Sequence, residues 1–186
     1  MTTTYKKPFC ADLGSISEAT LKTPDLLVRF IDTLTDLMDA RALHGSSRYD
    51  NAPDQQAAVE EAGRLAGLLA DIERELYDDD GELLDRSLDS ELAFAAQHDL
   101  DALFAELEEF APPYCYFGTH YGDGADLGFW PDWQFIEESR YCKDLPDADE
   151  IPEGYAGNAL EINDHGNTTL YYVDETGDRH EIWAIV

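Results

Sequence analysis

The side chains of this sequence that could do chemistry are mostly carboxylates. Asp71, Glu75, Asp78, Asp79, Asp80, Glu82, Asp85, Asp89, Glu106, Glu108 and Glu109 fall at three- or four-residue steps or in short runs. Carboxylates so spaced on a helix stand about 5–6 Å apart at Cβ. Duplex DNA carries one charge per ~1.7 Å of axis, and two adjacent helices bearing such rows approach that density. The chemistry available to such a strip is recognition: it presents a Lys- and Arg-lined groove with an ordered negative array and gains from steering and counterion release.

Other constellations are weaker. His120, Asp123 and Asp126 lie at three-residue steps in a glycine-rich stretch, a pattern that could hold a metal or supply an acid and a base. The stretch has neither the order of a calcium loop nor the GK[ST] of a phosphate loop. A tight turn in which Asp and His cap backbone N–H groups accounts for it better. Asp164-His165, with His180 across a hairpin, reads as turn chemistry for the same reason. Cys10, Cys115 and Cys142 are odd in number without CxxC spacing, which argues for reduced thiols over a disulfide framework or a zinc site. Trp130, Trp133 and Trp183 suit core packing. No catalytic residue, metal or cofactor is expected, and the protein is not read as an enzyme.

Charge frames these choices. Asp and Glu number 41 against 12 Lys and Arg, a formal charge of −29, so self-repulsion opposes compaction wherever carboxylates crowd. Three explanations compete: a halophile's acidic coat, an incidentally acidic surface, and imitation of a polyanion. The same charge argues against nucleic acid or a membrane surface as a direct ligand. No signal-peptide pattern or bilayer-length apolar run is present, so a cytoplasmic protein is expected.

The elements that must position the acids are legible by periodicity. Residues 1–22 lack a clear period and read as an N-terminal arm. Thr23-Pro24-Asp25 marks a helix start, and Leu27, Phe30, Ile31, Leu34, Leu37 and Met38 form its apolar stripe, with Asp25, Asp32, Asp36 and Asp39 on another face. Gly45 ends it. Pro53-Asp54 opens a second helix whose Ala58, Ala62, Leu65, Leu69, Ile72 and Leu76 make a seam, giving an αα-hairpin. After the break at Asp78-Asp79-Asp80-Gly81, Leu84, Leu88, Leu92 and Ala96 resume the pattern, followed by Leu100, Leu103, Phe104, Leu107 and Phe110. Pro112-Pro113 stops it.

From there aromatic, glycine and β-forming residues take over. Tyr114 to Phe117 and Leu127 to Trp130 read as strands around a loop from Gly118 to Asp126, then a short helix follows from Pro131 to Tyr141. A three-stranded meander closes the chain, with turns Asn163 to Asn167 and Asp174 to Asp178. The fold class is α+β: an acidic helical region over 23–111 packed on an antiparallel β region over 112–186, sharing one core.

The stretches Pro112-Pro113-Tyr114-Cys115-Tyr116-Phe117-Gly118, Gly122-Asp123-Gly124-Ala125-Asp126-Leu127-Gly128-Phe129-Trp130-Pro131 and Asn163-Asp164-His165-Gly166-Asn167, with the ending Glu181-Ile182-Trp183-Ala184-Ile185-Val186, resemble short uncharacterised proteins of plasmids, integrative elements and phages. The resemblance implies a mobile-element origin and carries over no catalytic residue. Small acidic proteins of such elements are similar in type to anti-restriction and anti-CRISPR inhibitors that mimic DNA. The expected function is therefore an inhibitor occupying the basic DNA-binding surface of a host defence complex. The alternative is an immunity or antitoxin-like protein neutralising a basic toxin. The expected partner is a basic nucleic-acid-binding protein or complex, and the helical seam is a candidate homodimer contact.

Overall fold

A computed structural model describes residues 9–44, 55–78, 80, 82, 84 and 90–186. The described elements are α+β, in the order β1 (Gly14–Ser17), α1 (Thr23–His44), α2 (Gln55–Leu76), α3 (Ser90–Glu108), β2 (Cys115–His120), β3 (Asp123–Pro131), α4 (Trp133–Cys142), β4 (Gly157–Ile162), β5 (Thr168–Val173) and β6 (Arg179–Ile185). They form two antiparallel three-stranded sheets, ordered β1-β3-β2 and β4-β5-β6. The described residues divide into two compact units, one within 9–111 together with 117–129, the other made of 112–116 and 130–186. The boundary expected at Pro112 is therefore crossed by the β2–β3 hairpin, most of which belongs to the helical unit.

In the helical unit, α1 buries Leu26, Leu27, Phe30, Ile31 and Leu34 and packs chiefly against α3, which contributes Ala96, Leu103 and Leu107. The α1–α2 hairpin read from sequence is the lesser contact. The α2 seam begins at Leu65, since Ala62 is exposed, and the Ala58 side chain, Leu88 and the proposed helix start at Pro53-Asp54 lie outside the described residues. Leu84 and Leu92, expected in the same stripe as Ala96, are exposed. Leu84 lies outside α3, so the four-residue step from Leu84 to Leu92 does not run along one described helix.

Four phenylalanines join helices to sheet. Phe117 meets Phe30 at 5.2 Å between ring centroids, Phe104 at 4.8 Å and Phe129 at 5.0 Å. Phe117, Leu127 and Phe129 thereby belong to the same apolar cluster as the helices. β1, missed in the sequence because four residues around a glycine carry almost no period, pairs with β3, setting Ser15 opposite Gly128 and Ser17 opposite Leu127. A Cβ on Gly128 would collide with the Gly14 and Ser15 backbone, so glycine permits this approach.

Just beyond β1, Ala19 holds φ at 59°, in the left-handed region where a Cβ crowds the following carbonyl. Ala19→Gly is expected to raise stability by about 0.5–1 kcal/mol, the relieved crowding less the greater unfolded-state freedom of glycine. The urea midpoint at unchanged slope checks this.

The second unit carries the meander in the expected place. Its two five-residue turns are built alike. Asn163 Oδ1 accepts from the N–H groups of His165 and Asn167, and Asp174 Oδ1 accepts from those of Thr176 and Asp178. In each, the glycine one residue before the turn's end, Gly166 or Gly177, takes φ near 85° (85° and 86°). Asp132 caps α4 by accepting from the Phe135 N–H at 2.9 Å, and Trp183, 5% exposed, donates its indole N–H to the Pro113 carbonyl at 2.8 Å.

Candidate acidic interaction surface

Three acids of α1, Asp32, Asp36 and Asp39, follow one another at four- and three-residue steps. At 100° per residue they lie on the side of the helix opposite Leu27, Phe30 and Leu34. All three are exposed, and none makes an ion pair or side-chain hydrogen bond among the described residues. They span about 10 Å of axis. A groove of about 500 Å³ places Glu73 of α2 beside Asp32 and Asp36, so two helices bring carboxylates to one place. Arg29 lines the same groove.

The acids read from sequence as the binding strip are arranged differently. On α2, Glu60, Asp71 and Glu75 share a side, but Arg64 stands among them by the same helical count. Its guanidinium donates to both oxygens of Glu106, at 2.6 and 2.9 Å, and this hydrogen-bonded carboxylate raises the Arg64 pKa. Arg74 likewise holds Asp71 at 2.9 Å. Glu108 accepts the Phe117 N–H at 2.6 Å and so serves the β2 backbone. Asp78 Oδ1 accepts from the N–H groups of Asp80 and Glu82, closing the turn after α2.

Glu75, Asp80, Glu82 and Glu109 are exposed. Asp79, Asp85 and Asp89 lie outside the described residues. On α3, Asp99 and Glu106 share one side and Asp101 and Glu108 another by the same count, with Glu106 held by Arg64 and Glu108 by the Phe117 N–H. The continuous strip from Asp71 to Asp89 is thus partly neutralised by arginine and partly engaged in local structure, whereas α1 carries the ordered unpaired row. The α1 acids were visible in the sequence as a shared face; their lack of basic partners required coordinates. Exposed acids also populate the second unit, among them Asp144, Glu150, Glu153 and Glu175, so carboxylates are not confined to the helices.

The histidine groups resolve into turn chemistry. The loop expected from Gly118 to Asp126 is a tight hairpin, with β2 running to His120 and β3 starting at Asp123. His120 Nδ1 accepts from the Gly122 N–H at 3.2 Å and Asp123 Oδ1 from the Ala125 N–H at 2.9 Å. No group of three metal-binding side chains occurs among the described residues. His165 sits in the β4–β5 turn, whereas His180 pairs with Asp174 of the β5–β6 turn at 2.9 Å, which separates His180 from Asp164 and His165. All three cysteines are free thiols.

The chain matches no protein-family model, no curated protein and no solved structure. Geometry and charge therefore carry the functional reading. No helix among the described residues is long and apolar enough to cross a membrane.

Asp174 gives a local pH dependence. Its hydrogen bond to the His180 ring, then those from the Thr176 hydroxyl and the Asp178 and Thr176 N–H groups, hold its carboxyl well below the usual range. A carboxyl depressed on folding stabilises the fold above its ordinary value of 3.8 and loses that contribution as the pH falls further. Acid also relieves the self-repulsion of the whole chain, so the comparison must be with a variant. Between pH 4 and pH 2, roughly the window the shift opens, the wild type is expected to lose more stability than Asp174→Asn in urea titrations.

Proposed function

We propose that this protein is an acidic inhibitor that occupies the basic DNA-binding surface of a host defence complex, a CRISPR surveillance complex or a restriction nuclease, with carboxylates standing in for phosphates. The observation that carries the reading is the α1 row: three exposed carboxylates in register, unpaired, with Glu73 of α2 beside them. Among the described arginines of this unit, Arg64, Arg74 and Arg41 are engaged by Glu106, Asp71 and Glu61, and Arg29, which lines the same groove as the row, makes no ion pair with it. The likeness of the C-terminal stretches to proteins of mobile elements supports a host defence system as the target. Asp71, Glu75, Asp80, Glu82, Glu106 and Glu109 would form the flank of the contact, with weaker electrostatic weight where arginine already neutralises them.

The test is affinity capture from host lysate at low salt, followed by elution with duplex DNA. The reading expects nucleic-acid-binding proteins that DNA releases. Recovery of one dedicated basic protein that DNA does not release would favour the immunity or antitoxin alternative. Recovery of no nucleic-acid-binding protein leaves an acidic coat as the explanation of the charge.

A further inference from the structure

A second feature of the helical unit points to how a partner's chain could be held. A crevice of about 730 Å³ runs between β1 and the start of α1, lined by Ser15, Ile16, Ser17 and Glu18 on one side and by Asp25 and Arg29 on the other. Side chains alternate faces along a strand, so a crevice over one face would touch every second residue. Contact with three successive strand residues, Ser15 to Ser17, across the register shift between Ser15 and Ser17, and with Glu18 just past the strand's end, places this one along the strand's edge, where backbone N–H and C=O groups point. β1 is the outer strand of its sheet, and residues 14–18 make no hydrogen bond beyond the β1–β3 ladder among the described residues.

The Ser17 hydroxyl, in a residue 4% exposed, has no hydrogen-bond partner among the described residues, and Ala19, between Glu18 and Thr20 of the lining, is left-handed. Strained and unsatisfied groups concentrate where a fold is shaped for binding. The lining is also acidic on balance: Glu18 and Asp25, the latter fixed by the Thr20 hydroxyl at 2.9 Å, stand against one guanidinium. A second copy of the chain would bring its own −29 charge to the edge and be repelled.

We propose that the open edge of β1 docks an extended basic peptide segment of the partner by strand addition, main-chain hydrogen bonds supplying affinity and Glu18 and Asp25 selecting Lys or Arg side chains. This rests on the reading that the partner is basic, and it names where a flexible segment of that partner would be held.

The experiment titrates the isotope-labelled full chain with a short capped peptide of alternating lysine and valine, and with the same peptide N-methylated at alternate residues. The second keeps every charge and loses the amide donors of one edge. The proposal expects amide shifts at residues 14–18 and 25–29 and binding weakened about tenfold or more by N-methylation, the scale of one or two lost hydrogen bonds. Glu18→Gln should weaken the unmodified peptide without altering the fold. Equal binding of both peptides, or shifts confined to Asp32, Asp36 and Asp39, overturns strand addition while leaving the acidic-row reading standing. No binding of either peptide overturns it too. Conversely, edge binding with no competition by DNA in the capture experiment would remove the mimicry reading alone.

Discussion

Phe117→Ala is expected to cost about 3–5 kcal/mol, the usual range for truncating a buried phenylalanine. Phe117 is 2% exposed and packs its ring against Phe30, Phe104 and Phe129, so its removal opens a void where α1, α3 and the β2–β3 hairpin meet. The surroundings cannot close over it easily, because the Phe117 backbone is held by the ladder and by the Glu108 carboxylate. Domains typically have about 5–15 kcal/mol in total, so the helical unit of this variant would stand near its unfolding threshold. Phe117→Leu, which keeps most of the volume, should cost no more than about 1.5 kcal/mol. Urea titrations of both variants check the pair. A loss below about 1 kcal/mol for Phe117→Ala would mean that these rings are not the joint between helices and sheet.

The second large effect is expected on binding. The triple variant Asp32→Asn, Asp36→Asn and Asp39→Asn removes three charges from one exposed helix face without touching the core. If each carboxylate replaces a phosphate contact, the slope of log affinity against log salt should fall by about 3. Stability should rise slightly, because like charges three and four residues apart repel by about 0.2–0.5 kcal/mol per pair. The informative contrast is Asp71→Asn with Glu106→Gln. Those carboxylates are already held by Arg74 and Arg64, so this double variant should change the salt slope less while costing some stability. If the double variant weakens binding more than the triple, the contact is centred on α2 and α3 instead of α1.

How much could be read before coordinates depended on whether the signal was local. α1 was legible to the residue because Thr23-Pro24-Asp25 and an uninterrupted apolar stripe both act within a few turns. The meander was legible because Asn163, Gly166, Asp174 and Gly177 set their turns through their own side chains and backbone. What failed was non-local. β1 exists only because Gly128 lets it lie against β3, which four residues cannot announce. The stretch from Gly118 to Asp126 looked like a loop through its glycines, yet ladder pairing makes most of it strand. The partners of the acids were the deepest gap: Arg64 and Glu106 are 42 residues apart in the chain, and no spacing rule connects them. The sequence therefore located the acidic helices but did not say which of their carboxylates stay unpaired.

The central claim, that ordered carboxylates on the helical unit substitute for a phosphate backbone, is tested most directly by competition for a captured partner. The partner would be loaded with labelled duplex DNA and titrated with this protein at salt concentrations between about 50 and 200 mM. The account predicts complete displacement of DNA along a single competitive isotherm, with affinity falling steeply as salt rises. A ternary complex in which DNA stays bound, or an affinity indifferent to salt, would contradict it.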